Sequence, residues 1–218
     1  MTATQVPLSG TAAMLIGLAA LAVTVLDTFW LILRHGTVMA HEGAHAAASA
    51  MLFRKVHRIG LNMDATGATR HDRAGCLGSV VIAFAGYIGP SLFGLAAAKL
   101  IETGHIVEML YLVLFLLALL LITVWMSFGM VTVALAGVLV YLIVRYTPVS
   151  TQIIAAYGIT WLLLLTGVRR ILEVGIQSGD GANLARSTLI PRFIWFLLWL
   201  ACTLTAVAAG GKWLVLHT

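Results

Sequence analysis

Long apolar runs, seven in succession, constrain the fold of this 218-residue chain more than any other feature of its sequence. A helix needs about 20 apolar residues to cross roughly 30 Å of hydrocarbon. Because no water satisfies backbone polar groups inside a bilayer, runs of this length are expected to be helical. The chain is 61% hydrophobic and only 10% charged, which excludes an ordinary soluble globular domain. We therefore predict an all-α polytopic membrane protein in which residues 1–218 form a single integral membrane domain.

The apolar runs predict about seven transmembrane helices, and a count of six remains open. The stretch from Ile106 to Val144 is too long for one span, so a tight turn is expected at Ser127 and Gly129. The predicted helices are Thr11–Leu33, Val38–Phe53, Leu77–Ala98, Ile106–Met126, Met130–Val144, Ile153–Val168 and Phe193–Gly210.

The basic residues predict how these helices are oriented. Of the 13 Lys and Arg residues, seven alternating spans would put nine on the face that carries the N-terminus and four on the opposite face. Because cytoplasmic loops carry an excess of positive charge, this predicts a cytoplasmic N-terminus together with two long cytoplasmic polar loops. The basic residues stand at span ends and form no single patch. The expected partner is therefore the lipid bilayer and not a nucleic acid.

The loop that follows the second predicted helix, Val56–Asp72, has a partly alternating pattern. Ile59, Leu61 and Met63 alternate with other residues, and the turn-like sequence DATG follows them. This pattern predicts a short β-hairpin. An irregular basic loop at the lipid headgroups is the alternative that the sequence leaves open.

The second predicted helix contains His41-Glu42-Gly43-Ala44-His45. Positions i and i+4 share one face of a helix, so both imidazoles can reach one Zn²⁺. Glu42 then flanks the metal as a general base. It would take a proton from zinc-bound water while the metal polarises a scissile carbonyl. The motif therefore predicts a metallopeptidase with His41 and His45 as metal ligands and Glu42 as the catalytic residue.

Ionisable residues inside an apolar helix support this interpretation, because burying them is costly unless a partner compensates. No Lys or Arg lies between Val38 and Phe53, so a divalent cation is the natural partner. The alternative is a non-proteolytic metal-binding membrane protein, either an ion transporter or a structural subunit with a vestigial site. Transport predicts further ionisable residues along the spans, whereas only Asp27 and the HEGAH residues lie deep in them.

Four segments of the chain resemble, in the expected order, the compact bacterial M50B-like branch of the site-2 protease class of intramembrane zinc metalloproteases. They are the HEGAH motif, the loop VHRIGLNMDATGAT, the segment AGYIGPSLFG and the segment SGDGANLARSTLIPRFIW. The resemblance implies hydrolysis of peptide bonds in membrane-embedded or membrane-anchored proteins of the bacterial inner membrane. It also implies one zinc ion per chain and a third zinc ligand from a downstream aspartate, which falls on Asp180.

The third ligand has alternatives. To meet the histidines, Asp180 would have to reach inward from a re-entrant or helical segment, and a solvated turn is the other interpretation. Asp27 is a second candidate, either as a metal ligand or as a hydrogen-bond partner of a ligating imidazole. Two imidazoles and a carboxylate favour zinc over magnesium or calcium.

The resemblance also implies that the strand after the motif helix binds substrate as an added strand, with Leu61–Met63 as the predicted edge. Gly89-Pro90 is not followed by the Asn that is usual in larger relatives. The residue that stabilises the oxyanion is therefore unassigned.

Overall fold

A computed structural model describes residues 4–125 and 128–216, and it confirms the predicted all-α class with a small hairpin. The elements are α1 (Gly10–Val25), α2 (Asp27–Met51), β1 (Val56–Leu61), β2 (Gly67–His71), α3 (Cys76–Glu102), α4 (Ile106–Thr123), α5 (Phe128–Tyr146), α6 (Val149–Val174), a 3₁₀ turn (Gly175–Gln177), α7 (Gly179–Thr188) and α8 (Arg192–Leu216). Met126 and Ser127, at the predicted turn between α4 and α5, lie outside the described residues.

Seven long helices are present, as predicted, but they provide only five or six candidate membrane spans within the described ranges. α3, α4, α5, α6 and α8 are each long and apolar enough to cross a membrane. α1 and α2 meet the same criteria only as a pair, and this pair is bent by 99°. The count of six that the sequence left open therefore describes the bundle better than seven crossings.

The first helix ends earlier than predicted. Leu26 has an extended backbone, with φ −74° and ψ 120°, and Asp27 begins α2. A carboxylate in the first turn suits the positive end of the helix dipole. The loop predicted between residues 33 and 38 instead lies within α2. His35, within this stretch, has a partner on the hairpin, since its Nε2 atom lies 3.2 Å from the Met63 carbonyl oxygen.

The N-terminal segment and the hairpin lie at opposite ends of the bundle. The Gln5 amide donates to the Gly104 carbonyl oxygen, in the connection between α3 and α4. At the other end, where α4 finishes, the Trp125 amide donates to the Ile59 carbonyl oxygen of β1 at 3.1 Å. The prediction that the N-terminus shares a face with the two polar loops is therefore wrong, because α1 and α2 together cross the bundle once and not twice.

Close packing of α3, α6 and α8 forms the centre of the bundle. Leu164 of α6 is fully buried and lies against Gly94 of α3 and Gly210 of α8. The Ser91 hydroxyl donates to the Leu164 carbonyl oxygen at 3.0 Å. Since lipid provides little hydrophobic drive for helix association, close packing and such hydrogen bonds hold membrane helices together. This packing fixes α3, which forms one wall of the candidate site.

The predicted β-hairpin is confirmed, with Ile59 of β1 opposite Thr69 of β2. Ile59 and Leu61 are buried against α4 and α5, and Ile59 forms an isolated bridge with Val124. The outer edge of β1 is therefore covered at this point, and β2 is the edge strand that remains in the described sheet. This contact closes the β1 edge at Ile59, and uptake of substrate at Leu61–Met63 stays a prediction.

Candidate metal centre

Helix α2 places His41, Glu42 and His45 in the lining of one cavity. Glu42 is 3% exposed and His45 is 7% exposed, so both are shielded from bulk solvent. The Nε2 atoms of His41 and His45 lie 3.0 Å apart, as the spacing of i and i+4 residues on a helix predicts. The two imidazoles therefore converge on one point.

Asp180 meets these imidazoles from α7, as the motif match predicts. Its Oδ2 atom lies 3.3 Å from His41 Nε2 and 3.3 Å from His45 Nε2. Burial by itself disfavours the charged carboxylate, but contacts with the two imidazoles outweigh this effect and hold the pKa of Asp180 well below its usual range. An ionised carboxylate thus faces the two imidazoles. The predicted requirement for a helical segment at Asp180 is met by α7.

Local contacts hold the beginning of α7 at this depth. Ser178 caps the helix, because its Oγ atom accepts a hydrogen bond from the Gly181 amide at 2.9 Å. Leu184, one turn after Asp180, is 1% exposed and packs in an aromatic cluster between α3 and α8. Trp199 of that cluster lies close to Gly181. The position of Asp180 is therefore set by the packing of α7 as a whole.

Glycines of α3 make room for the metal-facing side of α2. An added Cβ on Gly86 would clash with His45 Nε2 and would lie 2.8 Å from His41 Cε1. An added Cβ on Gly89 would clash with the Ala44 side chain. Backbones can approach closely only where side chains are this small.

The backbone of α3 also sets the protonation of His45. Its Nδ1 atom lies 2.7 Å from the Ile82 carbonyl oxygen, which can only accept a hydrogen bond. Nδ1 therefore carries the proton of the neutral ring, and the Nε2 lone pair faces His41 and Asp180. Metal-ligating histidines commonly have such an outer partner.

His41 Nε2, His45 Nε2 and Asp180 Oδ2 are spaced as the ligands of a zinc ion would be. Metal–ligand bonds of about 2.0–2.1 Å in a tetrahedral site put neighbouring ligand atoms about 3.3–3.4 Å apart. The observed distances between these three atoms, 3.0, 3.3 and 3.3 Å, are close to the distances between ligand atoms in such a site. His41, His45 and Asp180 can thus hold a metal through three protein atoms and leave a fourth position open.

Strand β2 positions the Glu42 carboxylate beside this cluster. The Thr69 hydroxyl donates to Glu42 Oε2 at 2.7 Å. Gly67 lies so close that an added Cβ would be 2.6 Å from Glu42 Oε1. The roles of Gly67, Thr69 and Gly86 could not be predicted from the sequence, because the side chains that they contact depend on tertiary packing.

The cavity around these residues has a volume of about 720 Å³ and is bounded by α2, β2, α3, α6 and α7. Arg170 of α6 lies at its edge. The Arg170 guanidinium donates to Glu173 at 2.7 Å and to the Ala65 carbonyl oxygen in the hairpin turn at 3.3 Å. This contact ties the hairpin to α6 across the cavity.

Asp27, the alternative partner for the metal site, lies elsewhere. Its Oδ1 atom forms an ion pair with Arg169 at 2.6 Å, and its side chain is 90% exposed. It precedes His41 by 14 residues on the same helix, which corresponds to about 21 Å at 1.5 Å per residue. Neither a ligand nor an outer-partner role is compatible with this position, so that alternative is wrong.

The M50B-like peptidase family model matches residues 14–210, which include the motif helix, the hairpin, α3 and Asp180. No curated protein and no solved structure matches the chain. The family match covers nearly the whole chain and agrees with the cluster of metal-binding side chains. The protein therefore belongs to the M50B-like family of peptidases.

Proposed function

We propose that this protein is a zinc-dependent intramembrane endopeptidase that hydrolyses peptide bonds of membrane-embedded or membrane-anchored proteins. The observation that carries the proposal is the triangle of His41, His45 and Asp180 atoms, with the Glu42 carboxylate in the same cavity. Among the described residues this is the single group of three such side chains that could hold a metal ion. One fixed site favours catalysis over a transport pathway, which would need several sites along the spans.

In this proposal His41, His45 and Asp180 hold the zinc ion and Glu42 is the general base. When bound, zinc supplies a Lewis acid that polarises the scissile carbonyl and lowers the pKa of an attacking water. Glu42 accepts a proton from that water and later passes it to the leaving amine. The Thr69 hydroxyl holds the carboxylate in position for both transfers.

The substrate segment would bind in an extended conformation beside β2. A helical peptide bond is shielded from attack, so a transmembrane substrate must unwind before it is cleaved. The described sheet has β2 at its edge, and Gly67 and Thr69 of this strand contact Glu42. A substrate strand added at this edge would form main-chain hydrogen bonds with β2, and its peptide bonds would lie beside the His41, His45 and Asp180 side chains. This geometry supports uptake of substrate at β2.

We infer that the hairpin end of the bundle faces the cytoplasm of a bacterial inner membrane. Three of the 13 Lys and Arg residues, Lys99, Arg145 and Lys212, lie near the ends of α3, α5 and α8 that are remote from the hairpin. The other ten lie towards the hairpin end. This excess supports cytoplasmic access to the cavity, with the N-terminus on the opposite side.

Thiol labelling on intact cells checks this orientation. In a variant with Cys76 and Cys202 replaced by Ala, a Gln5→Cys thiol is expected to react with a membrane-impermeant maleimide. A Lys55→Cys thiol beside the hairpin is expected to react only after permeabilisation. The reverse pattern would show that the hairpin end faces outward.

Metal content tests the ligand assignment directly. Detergent-purified wild type is expected to contain about one zinc ion per chain, and His45→Ala and Asp180→Ala are expected to lose it, because each removes one of three ligands. Asp27→Ala is the matched control and should retain the metal, since Asp27 pairs with Arg169. Elemental analysis of the four proteins gives the result.

Zinc that persisted in Asp180→Ala would contradict this ligand set. A wild type that bound no metal after zinc supplementation would contradict the peptidase proposal as a whole.

A further inference from the structure

The side chain of Tyr87 forms a wall of the catalytic cavity and has no role in the function proposed above. It is 7% exposed. Its ring meets the His41 imidazole edge to face, with ring centroids 4.7 Å apart. Trp199 also packs against it, with centroids 4.4 Å apart. These two contacts fix the direction in which the phenol points.

Four of the other hydroxyl groups that line the cavity each have an acceptor within the protein for their one proton. These donors are Thr66 (to Asp64), Thr69 (to Glu42), Ser79 (to the Ala74 carbonyl) and Ser187 (to the Asn183 carbonyl). These four hydroxyl protons are therefore already used within the protein.

Ser178, at the beginning of α7, lines the same cavity as Tyr87. Its Oγ atom accepts a hydrogen bond from the Gly181 amide at 2.9 Å, and the residue is 2% exposed. A phenol carries one proton that it can donate. Tyr87 therefore supplies to this lining a donor whose ring packs against the His41 imidazole.

We propose that the Tyr87 hydroxyl is a catalytic hydrogen-bond donor to the oxyanion that forms at the scissile carbonyl oxygen. This inference rests on the peptidase function proposed above. As the water oxygen bonds to the carbonyl carbon, the π electron pair moves onto the carbonyl oxygen and Glu42 takes the water proton. Tyr87 donates a hydrogen bond to that oxygen and keeps its own proton. When the C–N bond breaks, the electron pair reforms the carbonyl and Glu42 gives its proton to the amine.

Tyr87→Phe tests the donor because it keeps both ring contacts and removes only the hydroxyl. The kcat for a cleavable transmembrane peptide is expected to fall by about 10²-fold to 10³-fold, with little change in KM, as for other oxyanion donors. Zinc content should equal that of wild type. Tyr157→Phe is the matched control, since Tyr157 is a buried tyrosine whose oxygen accepts from the Leu8 amide, and its kcat should be unchanged.

A binding measurement separates this role from activity. In a Glu42→Gln background, zinc-loaded protein is titrated with the uncleaved peptide and with a phosphinic pseudopeptide of the same sequence, whose tetrahedral anion mimics the oxyanion. Tyr87→Phe should weaken phosphinate binding by at least about tenfold and leave peptide binding within about threefold.

Equal phosphinate affinity with and without the hydroxyl would overturn the donor role. Loss of zinc in Tyr87→Phe would also overturn it, in favour of a role in positioning His41. If the wild type cleaves peptide and Tyr87→Phe does so equally well, only this inference fails. If the wild type neither cleaves peptide nor binds phosphinate, the peptidase proposal fails with it.

Discussion

Glu42→Gln should reduce peptide-bond hydrolysis by about 10³-fold while the zinc content stays near that of the wild type. The amide has nearly the shape of the carboxylate and can still accept from Thr69, which lies 2.7 Å from Glu42 Oε2. It cannot take a proton from water at neutral pH. The measurement is kcat for a transmembrane peptide in detergent or liposomes, with elemental analysis of the same samples.

Glu102→Gln is the matched control for this substitution, because Glu102 pairs with Lys99 at the opposite end of α3. Its kcat should equal that of the wild type. If Glu42→Gln hydrolysed peptide at a wild-type rate, Glu42 would not be the base. Hydrolysis absent from every variant and from the wild type, with zinc bound, would instead favour a non-proteolytic metal protein.

Gly86→Ala should abolish stoichiometric zinc binding, although Gly86 is not a ligand and Ala is the better helix former. The added methyl group would overlap His45 Nε2 and come within 2.8 Å of His41 Cε1. The His45 imidazole cannot retreat freely, because the Ile82 carbonyl oxygen holds its Nδ1 atom at 2.7 Å. We expect zinc content below about one tenth of the wild-type value, with hydrolysis falling in proportion.

Gly158→Ala in α6 is the control for Gly86→Ala, since an added Cβ there meets no atom within 4 Å. It should retain zinc and activity. Circular dichroism and size-exclusion profiles of both variants would show whether the helices remain assembled. A Gly86→Ala protein that bound one zinc with unchanged affinity would contradict the close approach of α3 to the imidazoles.

Periodicity and spacing were sufficient for several features of this protein. Apolar runs predicted the helical bundle, since a bilayer leaves the backbone few alternatives. The i and i+4 spacing placed His41 and His45 on one face, because it depends only on helix geometry. The hairpin followed from alternation and a turn sequence. The position of Asp180 beside the histidines followed from motif resemblance and not from spacing, since more than 130 residues separate them.

Two helix boundaries differ from the predicted ones because local polarity does not show which polar residues have partners elsewhere in the fold. The gap predicted between Leu33 and Val38 is helical, and His35 there has a partner on the hairpin. The real break at Leu26 lies in an apolar stretch with no glycine or proline to mark it. That single shift removed one crossing and moved the N-terminus to the opposite end of the bundle.

The helical membrane class and the His41–Glu42–His45 arrangement could be predicted, because both depend on residues close together along the chain. Contacts between distant segments put Asp180 beside the imidazoles and bring Gly86 against His45. No local pattern in the sequence marks such contacts. Asp27 and Asp180 are both acids near apolar helices, and packing alone puts one against Arg169 and the other against the histidines.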